Sequence, residues 1–213
     1  MRETAVLDRV KDGYTTGARS LASRSVLGLT RTRVTPNALT TSGVLLCAAA
    51  SVLVLFEGRN EFLFYWLAAV VFVLGSLLDI LDGALARAGG KTTPFGAFLD
   101  STTDRISEGF MLTAIAYVLA RHHHPAFVAV TVLAVAASFL VSYTRAKAEA
   151  LGLRGDVGIG SRAERVVVIT AGLVLAPWGV LPWSLVLLAC TAWITVGQRV
   201  LHVRKQLMEA HSE

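Results

Sequence analysis

Asp79-Ile-Leu-Asp82-Gly83-Ala-Leu-Ala86-Arg87, followed after eight residues by Gly96-Ala-Phe-Leu-Asp100-Ser-Thr-Thr-Asp104, is the stretch whose reading decides the fold. Acids at i and i+3, and again at i and i+4, share one face of a helix. Residues 62–78, leading into the first pair, carry no charge, and neither do residues 109–120 after the second. The acids therefore stand in helices that otherwise read as membrane-embedded. An aspartate at mid-bilayer costs about 2.5–3.5 kcal/mol, whereas a Leu or Val returns only about 0.3–0.6 kcal/mol. Four such acids call for a shared positive partner, and two divalent metal ions supply one.

The surrounding composition agrees. The chain is 54% hydrophobic and only 16% charged over 213 residues, too apolar for a soluble domain of this size. We read an all-α membrane protein with six transmembrane helices, roughly 37–56, 62–86, 94–120, 125–147, 163–180 and 182–203, preceded by an amphipathic interfacial helix. That first segment, within residues 6–27, mixes Val6, Leu7, Val10, Leu21, Val26 and Leu27 with Arg9, Lys11, Arg19 and Arg24. The expected organisation is a cytoplasmic amphipathic segment 1–36, a six-helix domain 37–205 and a cytoplasmic tail 206–213. The first apolar run starts too late and runs too long for a cleavable signal peptide. Cys47 and Cys190 lie in apolar runs and read as buried structural thiols. Arg121-His122-His123-His124 reads as a solvated loop, since three adjacent histidines cannot share one helix face.

Basic residues are distributed unevenly. They cluster between residues 2 and 33, at Arg87 and Lys91, between residues 145 and 165, and at Arg199, Arg204 and Lys205; the other connections hold only Arg59 and Arg121. The positive-inside rule then predicts a multi-pass protein of the cell membrane with both termini and the acidic site on the cytoplasmic side. The net charge of +5 is that of a basic membrane surface, with no pattern for nucleic acid. Asp79 follows its apolar run after roughly 26 Å of helical rise, toward one leaflet. No second acidic layer lies toward the other side, which argues against an ion pathway through the membrane.

Paired hard cations held by carboxylates suit displacement at phosphorus. Gly83 removes a side chain beside Asp82, so a ligand can approach the backbone. Arg87, one turn further on, carries a guanidinium able to clamp a phosphate. Ion pairing alone does not explain the acids, because Arg87 and Arg105 cannot neutralise four aspartates and Glu108.

The string from Asp79 to Asp104 resembles, without departure, the signature of the CDP-alcohol phosphotransferases: D-x-x-D-G-x-x-A-R, eight residues, G-x-x-x-D-x-x-x-D. The resemblance implies transfer of a phosphoalcohol from a CDP-linked donor to an acceptor hydroxyl, with release of CMP. It implies Asp79, Asp82, Asp100 and Asp104 as ligands of two Mg²⁺ ions, with Mn²⁺ as the alternative. Asp104 would also take the acceptor proton. Gly83 and Arg87 would contact the nucleotide and diphosphate, and Asn37, Thr40 and Thr93 would line the cytidine pocket. A homodimer is expected from the same resemblance.

The signature leaves the acceptor open. Ser142, Arg145 and Lys147 near the end of the fourth span, Arg162 and Arg165 at the start of the fifth, and Arg199 in the sixth form a basic set. Such a set suits an acceptor that carries phosphate. Residues 142–156, with the Arg162-x-Glu164-Arg165 that follows, are similar to the actinobacterial phosphatidylinositol phosphate synthases. That similarity implies CDP-diacylglycerol as donor and inositol 1-phosphate as acceptor, held by Ser142, Arg145, Lys147, Arg162, Arg165 and Arg199. The alternative is a phosphatidylglycerophosphate synthase that accepts glycerol 3-phosphate.

Overall fold

The computed structural model describes residues 35–90 and 92–210. The segment read as an interfacial helix, together with Lys91, lies outside the described residues. Among the described residues the chain is entirely helical: α1 Pro36–Val54, α2 Glu61–Ala88, α3 Pro94–Arg121, α4 Pro125–Ala150, α5 Arg162–Val174 and α6 Leu181–Ala210. Short 3-10 turns, Glu57–Arg59 and Ala176–Trp178, interrupt the connections.

Local chemistry explains where these helices begin. Pro36, Pro94 and Pro125 each stand at a first helical position, where the missing N–H costs nothing. Asn60 Oδ1 accepts from Leu63 N at 3.0 Å, and Thr93 Oγ1 accepts from Gly96 N at 3.0 Å. At α5, Glu164 Oε2 reaches back to Ser161 N at 2.6 Å. Pro177 sits in the turn that ends the fifth segment, so α5 stops at Val174 rather than running on to 180.

Four helices, α1, α2, α4 and α6, are long and apolar enough to cross a membrane. α3 is long enough but carries Asp100, Asp104, Arg105 and Glu108. α5 has 13 residues, about 20 Å of rise against a hydrocarbon core of about 30 Å. α6 continues unbroken to Ala210, through residues 206–210 that the sequence reading assigned to a tail.

The helices divide into two compact units, the residues up to Leu45 with Gly75–Asp104, and Leu46–Leu74 with Arg105–Glu213. In the first, Leu39 of α1 packs with Leu78, Leu81, Ala84 and Leu85 of α2. The two helices approach closely at Gly43, where a Cβ would fall 2.9 Å from the Gly75 carbonyl oxygen. In the second, α4 and α5 pack on α6. Its core includes Phe72, Met111, Leu112, Ile115, Leu173 and Leu188.

One face of α2, with Tyr65, Ala68, Ala69 and Phe72, is buried, while Leu63, Leu67, Val70 and Leu74 are exposed on the other. An apolar face left outside is what lipid covers. For the same reason Cys190 corrects the expectation of two buried thiols: Cys47 is buried, but Cys190 is exposed on α6. In a membrane helix an apolar run does not imply a protein neighbour. Aromatic residues mark one end of the second unit. Phe62 meets Trp178 edge-on at 5.4 Å, Phe127 meets Trp183 at 5.6 Å, and Trp66 Nε1 donates to Val174 O at 3.1 Å. Arg121 to His124 are exposed, as expected of a solvated stretch, and Arg121 and His122 both pair with the buried Glu57.

Candidate active site

The first unit gathers the acids. Asp79 and Asp82 project from α2 and Asp100 from α3, and one carboxylate oxygen of each lies within 4.8 Å of the others. Asp79 and Asp82 are buried and Asp100 is half-buried. Asp104, one turn beyond Asp100 on α3, is half-buried and stands outside this group of three. The Thr40 hydroxyl of α1 donates to Oδ2 of Asp82. The other oxygen, Oδ1, is buried with no hydrogen-bond partner. A buried carboxylate oxygen left bare beside two further acids is strongly unfavourable. A hard divalent cation relieves both burdens, so these residues fit a metal centre.

A cavity of about 160 Å³ opens beside the acids. Asn37, Thr40, Gly83, Arg87 and Thr93, the five positions singled out for the nucleotide, all line it together with Asp82 and Asp100. Arg87 folds back over Gly83, where a Cβ would lie 3.2 Å from its Nη1. The guanidinium thus occupies space that only glycine leaves open, at the cavity wall. Thr92 also lines the cavity. Both adjacent threonines of the loop therefore line it, where the sequence reading named only Thr93.

The second unit carries the basic set. Arg145, exposed on α4, bonds Glu149 through Nε at 2.8 Å. Ser142 is half-buried, Lys147 is exposed, and Arg162 is half-buried at the first position of α5. Arg165 is buried in a two-pronged pair with Glu108, Nε to Oε1 and Nη2 to Oε2, both at 2.8 Å. Its Nη1 donates to Gly160 O at 2.9 Å. Arg199, buried on α6, donates through Nε to Val157 O at 2.9 Å and through Nη1 to Val141 O. Arg145 and Arg165 both lie close enough to act on the charge of Arg199, so three of the six positions come together, with Glu149 and Asp156 also within reach of it. Sequence reasoning missed that Glu108 belongs to Arg165 rather than to the aspartates. The two are 57 residues apart, and no local pattern links them.

Residues 33–197 match the model of the CDP-alcohol phosphatidyltransferase family, and the chain belongs to that family. Among its relatives is the phosphatidylinositol phosphate synthase of Mycolicibacterium smegmatis, 39% identical over 181 residues, covering 82% of this chain and 79% of that protein. The archaetidylinositol phosphate synthase of Pyrococcus horikoshii is 39% identical over 176 residues, covering 82% and 86%. The crystal structure of the Mycobacterium tuberculosis phosphatidylinositol phosphate synthase with CDP-DAG bound is similar at a TM-score of 0.75 and 34% identity, covering 86% of this chain and 94% of that one. The same enzyme in complex with manganese and citrate matches at 0.75 and 35%, covering 85% and 88%.

Proposed function

We propose that this chain transfers the phosphatidyl group of CDP-diacylglycerol to inositol 1-phosphate, giving phosphatidylinositol phosphate and CMP. The observation that carries the reading is the buried trio Asp79, Asp82 and Asp100 beside a cavity lined by Gly83 and Arg87. The names of the relatives favour inositol phosphate over glycerol 3-phosphate as acceptor.

In this reading Asp79, Asp82, Asp100 and Asp104 hold two Mg²⁺ ions, with Mn²⁺ as the alternative. Bound there, the ions would supply positive charge to neutralise the diphosphate and the departing phosphate of CMP. Asn37, Thr40 and Thr93 receive the cytidine, and Gly83 lets the diphosphate approach the α2 backbone. Arg87 orients its oxygens by charge-assisted hydrogen bonds. The acceptor hydroxyl oxygen bonds to the phosphorus that bears diacylglycerol, the phosphorus–oxygen bond to CMP breaks, and Asp104 takes the hydroxyl proton. Ser142, Arg145, Lys147, Arg162, Arg165 and Arg199 bind the acceptor phosphate. Glu108 keeps Arg165 in a fixed orientation, while the carbonyls of Val157 and Val141 orient the Arg199 guanidinium without pairing its charge.

The same reading has six membrane crossings, with α3 and α5 completed by their packing against the longer helices. It places the protein in the cell membrane as a homodimer, with termini and active site facing the cytoplasm, in keeping with the basic connections. The test is an acceptor screen with purified protein and CDP-diacylglycerol. CMP release that requires inositol 1-phosphate is expected. Release with glycerol 3-phosphate alone would reassign the protein as a phosphatidylglycerophosphate synthase.

A further inference from the structure

Residues 151–161 join α4 to α5, and their middle is fastened from both sides. Gln206 of α6 exchanges two hydrogen bonds with the Arg154 backbone: Arg154 N donates to Oε1 at 3.0 Å, and Nε2 donates to Arg154 O at 2.8 Å. Gly155 lies against α4, where a Cβ would fall 3.0 Å from Ala148 Cβ and 3.1 Å from Arg145 Cα. The Val157 carbonyl is held by Arg199, and Gly160 N donates to Thr195 Oγ1 at 2.8 Å. Thr195, Arg199 and Gln206 recur at helical spacing and form one clasping stripe along α6.

Between these anchors the strap holds out Asp156. Its side chain is 55% exposed, with Arg154 Nη2 at 3.5 Å. Its neighbour Gly155 rests on Arg145, and its neighbour Val157 is bonded to Arg199. A backbone hydrogen bond and then the Arg154 charge hold its carboxyl below the usual carboxylate range, so it is ionised at neutral pH. An anion set among Arg145, Arg154 and Arg199 weakens their pull on a phosphate. The position makes little sense for holding phosphate alone. A carboxylate does accept hydrogen bonds from two hydroxyls on adjacent carbons, which a polyol phosphate offers beyond its phosphate group and inorganic phosphate does not.

We propose that Asp156 reads the ring hydroxyls of the inositol phosphate acceptor, and that Gln206 is the positioning residue that holds the strap for it. This rests on the acceptor reading above. The test uses full-length protein in micelles containing CDP-diacylglycerol. It measures CMP release against inositol 1-phosphate, with inorganic phosphate as competing inhibitor. For Asp156→Asn the KM for inositol 1-phosphate is expected to rise about tenfold, the scale of a hydrogen bond to a charged group. The inhibition constant of inorganic phosphate is expected to hold or fall. If Asp156 merely damps the positive charge, both constants fall together and the proposal is overturned. An unchanged KM, or equal weakening of both ligands, overturns it as well.

Gln206→Met removes both clasping bonds at similar volume. It is expected to raise the KM for inositol 1-phosphate a few-fold, in KM rather than kcat, with faster amide exchange at Arg154. A loss confined to kcat would remove its positioning role. Failure of the underlying reading looks different, because the unaltered protein would then release CMP only with glycerol 3-phosphate.

Discussion

Asp82 and Glu108 are both carboxylates buried in apolar helices, 3% and 6% exposed, yet they are kept there by opposite means. Both oxygens of Glu108 are taken by the fork of Arg165, so charge and hydrogen-bonding capacity are met within the protein. Asp82 has one oxygen on a threonine hydroxyl and the other bare, with two further acids within reach. A buried acid with its counter-charge built in is part of the fold. A buried acid whose neighbours are also acids implies a cation from outside. The comparison separates structural charge from functional charge without reference to any relative.

Predictions follow from that contrast, from the largest effect down. Asp104→Asn should abolish turnover, a loss of at least about 10³-fold. CDP-diacylglycerol binding should persist, as isothermal titration in micelles would show. Full activity in this variant would remove the proposed base. Glu108→Gln should instead act on the fold, destabilising it by about 3–5 kcal/mol because Arg165 is left buried without its counter-ion. Thermal unfolding in detergent checks this, and an unaltered midpoint would show that the pair contributes nothing. Arg87→Lys keeps the charge but not the planar fork, so the KM for CDP-diacylglycerol should rise about tenfold with stability unaltered. A KM that does not move would place the guanidinium off the diphosphate.

Much of this was legible in the sequence because it is local. The spacing from Asp79 to Asp104 fixes which acids share a helix face, and the structure brings Asp79, Asp82 and Asp100 within 4.8 Å. Six helices stand where six apolar runs were read, with Pro and side-chain caps marking several starts. What could not be read depends on contacts distant in sequence. Glu108 finds Arg165 only once α3 and α5 pack, so it was counted among the acids in need of a partner. Arg199 was read as a phosphate ligand, but nothing in a run of apolar residues reveals that its guanidinium also grips the carbonyls of Val141 and Val157. Cys190 shows the third kind of difficulty, since hydrophobicity does not distinguish a protein neighbour from lipid.

The central claim is that the carboxylates of α2 and α3 are completed by divalent metal. The direct measurement is Mn²⁺ binding to the purified protein, followed by the loss of the free-ion electron paramagnetic resonance signal. Saturable binding by the unaltered chain, lost in Asp82→Asn, is the predicted result. Equal binding by both proteins, or none by either, would contradict the account.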